Sequence, residues 1–117
     1  MTAPVALNAP AVLCGQDLGE PQSVDLDSGQ AVVFSRPHAG KCGANEDALG
    51  VVEGADGQIC LAVADGVGGL PRGREAATLV IALLAKVSPS KETSLESRLQ
   101  TANQTLLVQL PNAATTV

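Results

Sequence analysis

Aromatic side chains are almost missing from this chain: Phe34 is the one aromatic residue, with no Trp and no Tyr. Any core must be built from Val, Leu, Ile and Ala, and because Ala contributes little area, a thin core is expected for 117 residues. Seven basic residues against twelve acidic ones give a net charge of −5. That balance, together with the missing rings, excludes nucleic acid as a partner, because phosphate neutralisation needs cations and base stacking needs aromatic faces. The single histidine, His38, stands beside Pro37 in a polar stretch and reads as a surface loop residue. Neither a Cys-His nucleophile pair nor a zinc site with several histidines can be assembled from it.

Cysteine is scarce and odd in number: Cys14, Cys42 and Cys60 have no C-x-x-C spacing, so a disulfide framework is not expected and a reduced, cytoplasmic setting is. Cys42 beside Lys41 lacks an evident base and reads as a plain thiol. No apolar run reaches the roughly 18 residues needed to span a bilayer, so no membrane segment is expected. The apolar first stretch has no Lys or Arg before it and is broken by Pro4 and Pro10, which suits an N-terminal tail better than a signal peptide.

What remains is a chain that is 45% hydrophobic and only 16% charged, a composition that folds rather than one that stays disordered. Residues 1–30 contain three prolines and no basic residue, sustain no helical or strand period, and are expected to form an irregular arm preceding a folded unit over 31–117. Within that arm, Asp25-Leu26-Asp27-Ser28-Gly29 fails as a calcium loop, since Gly29 and Arg36 stand where the fifth and twelfth positions need ligands. Short β-prone runs follow at 31–35, 48–52 and 59–64, the last two separated by the turn-rich Glu53-Gly54-Ala55-Asp56-Gly57 and therefore a hairpin. Its second arm is apolar without alternation and predicts a central strand buried on both faces. Nearly every position from 74 to 87 is apolar or Ala, predicting a buried helix that stops at Ser88-Pro89.

A second helix is predicted after it. Thr93 and Glu96 have capping-box spacing, and Leu95, Leu99, Ala102, Leu106 and Leu110 recur on one face, leaving Arg98, Gln100, Asn103 and Gln104 in water.

The chemistry concentrates in two places. In Val63-Ala64-Asp65-Gly66-Val67-Gly68-Gly69 a carboxylate at a strand end is followed by three glycines in four residues. This arrangement suits a hard divalent cation held by carboxylate, carbonyl and water, and equally a tight turn in which Asp65 caps the next helix. Upstream, Asn45-Glu46-Asp47 precedes the first hairpin arm; antiparallel pairing would bring Glu46 or Asp47 within reach of the same ion as Asp65. Nucleotide loops do not fit. The third glycine of G-x-G-x-x-G would fall at Pro71, and the Walker pattern at Gly40-Lys41 has Ser35 in place of its first glycine.

Asn45-Glu46-Asp47, a hairpin, the Asp65 glycine turn and then Gly73-Arg74-Glu75-Ala76-Ala77 resemble the N-terminal part of the metal-dependent serine/threonine protein phosphatases of type 2C, over about residues 31–117. The ending Ala113-Ala114-Thr115-Thr116-Val117 is similar to the start of the strand that follows the second helix in that family. The resemblance implies an α+β fold, the N-terminal portion of an α-β-β-α sandwich that is incomplete in this chain. It also implies a pair of Mn²⁺ or Mg²⁺ ions at one edge of the sheets, with a bridging water that attacks a phosphomonoester of a phosphoprotein substrate. By motif, Asp65 is the bridging ligand, the Gly66 carbonyl binds one ion, and Glu46 with Asp47 beside it serves that ion directly or through water. Family members usually carry an Arg three residues before the motif Asn, where this chain has Cys42, leaving Lys41 as the phosphate contact; they also draw further metal-binding aspartates from a C-terminal half. Those departures keep open a non-catalytic phosphatase-like binding module or a truncated gene product, with a partner covering the exposed core.

Overall fold

The computed structural model describes residues 6–38, 45–67 and 72–117. Nine elements follow in order: strands β1 (Leu7–Asn8), β2 (Ala11–Cys14), β3 (Gln22–Leu26), β4 (Gly29–Val33), β5 (Asp47–Glu53) and β6 (Ile59–Gly66), helices α1 (Gly73–Lys86) and α2 (Leu95–Gln109), and strand β7 (Thr115–Thr116). The fold is α+β. One sheet has the order β2-β5-β6-β7 and a smaller one the order β1-β3-β4.

The hairpin at the centre is the one its sequence predicts: β5 and β6 pair antiparallel from Asp47↔Asp65 to Glu53↔Ile59. Side chains alternate across a strand, so Ala48 and Ala64 share one face, where they pack with Ala76, Ala77, Val80, Ile81 and Leu84 of α1 and with Ala102 and Leu106 of α2. Val51 points to the other face and packs with Ala11 of β2 and Val24 of β3. The four-stranded sheet thus separates two small cores.

Four expectations are corrected. Residues of the supposed irregular arm form β1, β2, β3 and the start of β4, and β2 lies along β5 from Ala11↔Val51 to Cys14↔Ala48. Edge pairing of this kind is made by main-chain N–H and C=O groups, which carry no side-chain period to be read in advance. The rejected calcium loop is the turn of the β3–β4 hairpin, with Leu26 paired to Gly29, Gln30 donating from its amide to Asp25 (3.0 Å), and the Asp27 N–H donating to Glu53 (2.8 Å).

The β6 strand is an inner strand, as expected, but it is not buried on both faces: Leu61 and Val63 are 66% and 64% exposed. An apolar run without alternation signals what a strand can bury, whereas burial itself needs a covering layer, and the small sheet reaches only as far as β2 and β5 on that side. The strand buried along nearly its whole length is β5.

Both helices lie where their periodicity places them. The α2 cap is Ser94, not Thr93: the Ser94 hydroxyl accepts from the Ser97 N–H (3.1 Å), so the residue at the capping-box acid position is a serine and Glu96 instead sits in the first turn near the positive end of the helix. Arg98 is not on a wet face either. Its guanidinium turns back to donate to the carbonyls of Leu84 and Val87 (2.6 Å to the latter), serving the unpaired carbonyls at the end of α1.

Candidate active site

Glu46 and Asp47 open the β5–β6 hairpin and Asp65 and Gly66 close it, so antiparallel pairing gathers all four at one end of the sheet. Asp47 stands directly opposite Asp65. Both have the same parity as Leu61 and Val63 and therefore share the sheet face turned away from α1. A cavity of about 360 Å³ is lined by His38, Asn45, Glu46, Asp47, Asp65, Gly66, Val67 and Thr116.

Main-chain bonds fix this end of the hairpin from several sides. The Gly66 N–H donates to the Glu46 carbonyl (3.2 Å), the Gly15 N–H to the Asp47 carbonyl (2.9 Å), and the Val67 N–H to the Ala114 carbonyl (2.9 Å). The hydroxyl of Thr115 donates to the Asp65 carbonyl (2.8 Å) as β7 pairs with the end of β6. The glycine after Asp65 has a structural reason of its own. A Cβ at Gly66 would lie 2.5 Å from the Gly73 carbonyl oxygen and 2.9 Å from that of Glu46, so only glycine lets the start of α1 and the first hairpin arm close on this point.

Asp65 does not cap α1: the residue before that helix is Arg72, in the left-handed region at φ 63°, and no side chain caps it. The capping alternative for Asp65 is thereby excluded, and Asp65 lines the cavity. Its neighbour Asp47 is held above the ordinary carboxylate range, first by burial, then by a hydrogen bond with Asp65 and the repulsion of its charge, and last by the charge of Glu46.

The donor set consists of carboxylates and main-chain carbonyls, which is oxygen chemistry suited to a hard divalent cation such as Mg²⁺ or Mn²⁺, and a cation would relieve the repulsion at Asp47. Among the described residues, no three His, Cys, Asp or Glu side chains are grouped closely enough to hold a metal ion between them. Glu46 lines the cavity, yet it precedes the strand and its side chain does not complete a triad with the two aspartates. Two carboxylates beside main-chain carbonyls suit a cation that keeps much of its water.

The structure therefore brings Glu46, Asp47, Asp65 and Gly66 to one cavity, while Lys41, Cys42, Gly68 and Gly69 lie outside the described residues. His38, expected as a surface loop residue, is exposed and stands at the cavity wall; nothing in its local sequence signals that. Thr116 arrives from the end of the chain, where the β-prone threonines were its signal. A larger hollow of about 620 Å³ lies by α1, at Cys14, Arg74, Thr78 and Leu110, but it contains none of these acids, and its Arg72 is paired with Glu75.

No curated protein and no solved structure matches the chain. The family model described as Protein phosphatase 2C matches residues 36–116, which takes in β5, β6, both helices, β7 and all four cavity residues named by motif. Because that match covers well over half of the sequence, from before the acidic hairpin opening to the last strand, the chain belongs to the protein phosphatase 2C family.

Proposed function

We propose that the acidic end of the β5–β6 hairpin is the site of metal-dependent hydrolysis of phosphoserine and phosphothreonine in proteins. The observation that carries this is the placement of Asp47 opposite Asp65 at the open end of a rigid hairpin, beside the Gly66 and Glu46 main chain. Asp65, Asp47 and the Gly66 carbonyl would hold Mn²⁺ or Mg²⁺, two ions in the complete family fold, with Glu46 acting through water. When bound, such ions acidify water and neutralise phosphate charge. The chain's own residues orient the site: the Thr115 hydroxyl and the Glu46 carbonyl hold the turn after Asp65, and on the opposite face Ala48 and Ala64 are buried under the helices. Lys41 is proposed as the phosphate contact, a weaker one than a bidentate arginine.

The test is calorimetric titration of the 117-residue chain with Mn²⁺, followed by hydrolysis of a phosphothreonine peptide. Weak binding that disappears in Asp65→Asn is expected, because water fills most coordination positions. Tight binding that survives Asp65→Asn would show the site to be elsewhere. The absence, among the described residues, of a third carboxylate grouped with Asp47 and Asp65 favours a second reading, a phosphatase-like module that binds a phosphorylated partner without cleaving it. Retention of the phosphopeptide with no release of phosphate in Mn²⁺ would decide for that reading.

A further inference from the structure

Asn45 is the one polar side chain fully buried among the described residues, 5% exposed, and it lies at the cavity without being a charged donor. A buried amide must satisfy two N–H groups and a carbonyl, and this one does so with three different segments. Its Nδ2 donates to the Gln16 carbonyl (2.7 Å) in the connection after β2 and to the Ser35 hydroxyl (2.7 Å) just past β4. Its Oδ1 accepts the N–H of Asp47 (3.0 Å). The same Asp47 is held on its other side by the Gly15 N–H, one residue before Gln16.

We infer that Asn45 is a positioning residue for the acidic site: it clamps the ends of β2 and β4 to the first residue of β5 and so sets the Asp47 carboxylate opposite Asp65. The inference rests on the proposed cation-dependent function for its consequence, and on the hydrogen bonds alone for the clamp. Neither smaller nor charged residues can replace it. Serine cannot reach three partners, and aspartate lacks both N–H donors and adds a third carboxylate beside Asp47 and Asp65. Groups that orient ligands in this way typically change metal affinity by about 10–100-fold when removed.

The experiment compares the whole chain with Asn45→Asp, Asn45→Ala and a control, Leu106→Ala, which removes buried packing between the helices far from the cavity. Two readouts are taken: amide hydrogen exchange and Mn²⁺ affinity by calorimetry. In the Asn45 variants the Asp47, Gly15 and Gly66 amides should lose protection selectively and Mn²⁺ affinity should fall by about 10-fold or more. The control should lower thermal stability with exchange loss confined to the helices and Mn²⁺ affinity unchanged. Should both Asn45 variants fail to fold, Ser35→Ala removes a single bond of the clamp and should give a partial loss of protection at the same amides; a uniform loss there overturns the inference. Wild-type protection at Asp47 in a folded Asn45 variant also overturns it. Selective loss at these amides in a chain that binds no Mn²⁺ keeps the clamp and sinks the cation reading instead.

Discussion

Asp47 and Asp65 face each other across the pair that opens the β5–β6 ladder, and burial first, then the hydrogen bond and charge of Asp65, hold the Asp47 carboxyl above its ordinary value of 3.8. Each belongs to a different motif, and neither motif alone specifies a site. The antiparallel register joins them, and the bonds from Asn45, Gly15 and Gly66 around Glu46 and Asp47 hold the join in place.

A raised carboxyl costs stability once it is ionised. Because the folded form of Asp47 binds its proton more tightly than the unfolded chain, stability from this group is present at low pH and is lost as pH rises from about 3.8 through the raised folded value. Asp47→Asn in the metal-free chain is therefore expected to be more stable than wild type at pH 7, by about 1 kcal/mol or less because the group is partly open to water, with the gain vanishing below pH 4. Urea unfolding at several pH values measures it; a gain that persists unchanged in acid contradicts the assignment.

The uncovered side of the sheet should make the chain associate. Leu61, Val63, Val32 and Phe34 are all more than half exposed and line one groove together with Leu49 and Val51. Contiguous apolar surface of this kind draws a partner or a second copy. Sedimentation velocity should show concentration-dependent association in the wild type and its suppression in the double variant Leu61→Lys, Val63→Lys. A wild type that stays monomeric up to high concentration and melts cooperatively is the contrary result.

The hairpin tip touches the interhelix loop closely enough to forbid a methyl group. A Cβ at Gly54 would lie 2.0 Å from the Pro89 carbonyl oxygen, whereas one at Gly29 meets nothing within 4 Å. Gly54→Ala is expected to cost about 1–3 kcal/mol, the usual range for forcing atoms into occupied space, and Gly29→Ala almost nothing. Equal urea midpoints for the two variants would show that the tip yields freely.

Arg98 binds the end of α1 through the Leu84 and Val87 carbonyls while its Nε is buried with no partner among the described residues. The unpaired N–H offsets part of what the other bonds contribute. Arg98→Met, which keeps the stem, should lose about 1–2 kcal/mol and deprotect the last turn of α1 in hydrogen exchange. No change in that turn would mean that solvent serves those carbonyls equally well.

Local pattern determined much of this protein. The hairpin, both helices and the gathering of Glu46, Asp47, Asp65 and Gly66 at one end were legible because period, turn residues and motif order act over short stretches, and antiparallel pairing then dictates which ends meet. Tertiary structure decided the rest. The strands β1 and β2 exist because main-chain groups of β3 and of β5 offer them partners, which no side-chain pattern announces. Leu61 and Val63 are exposed because covering a face depends on a second layer and not on the strand's own composition. Arg98 caps a helix other than its own, and Asn45 satisfies its amide from positions 10 and 29 residues away. Hydrogen bonds of buried polar groups are settled by whichever segments the fold brings within about 3 Å, and that proximity is a property of the assembled chain.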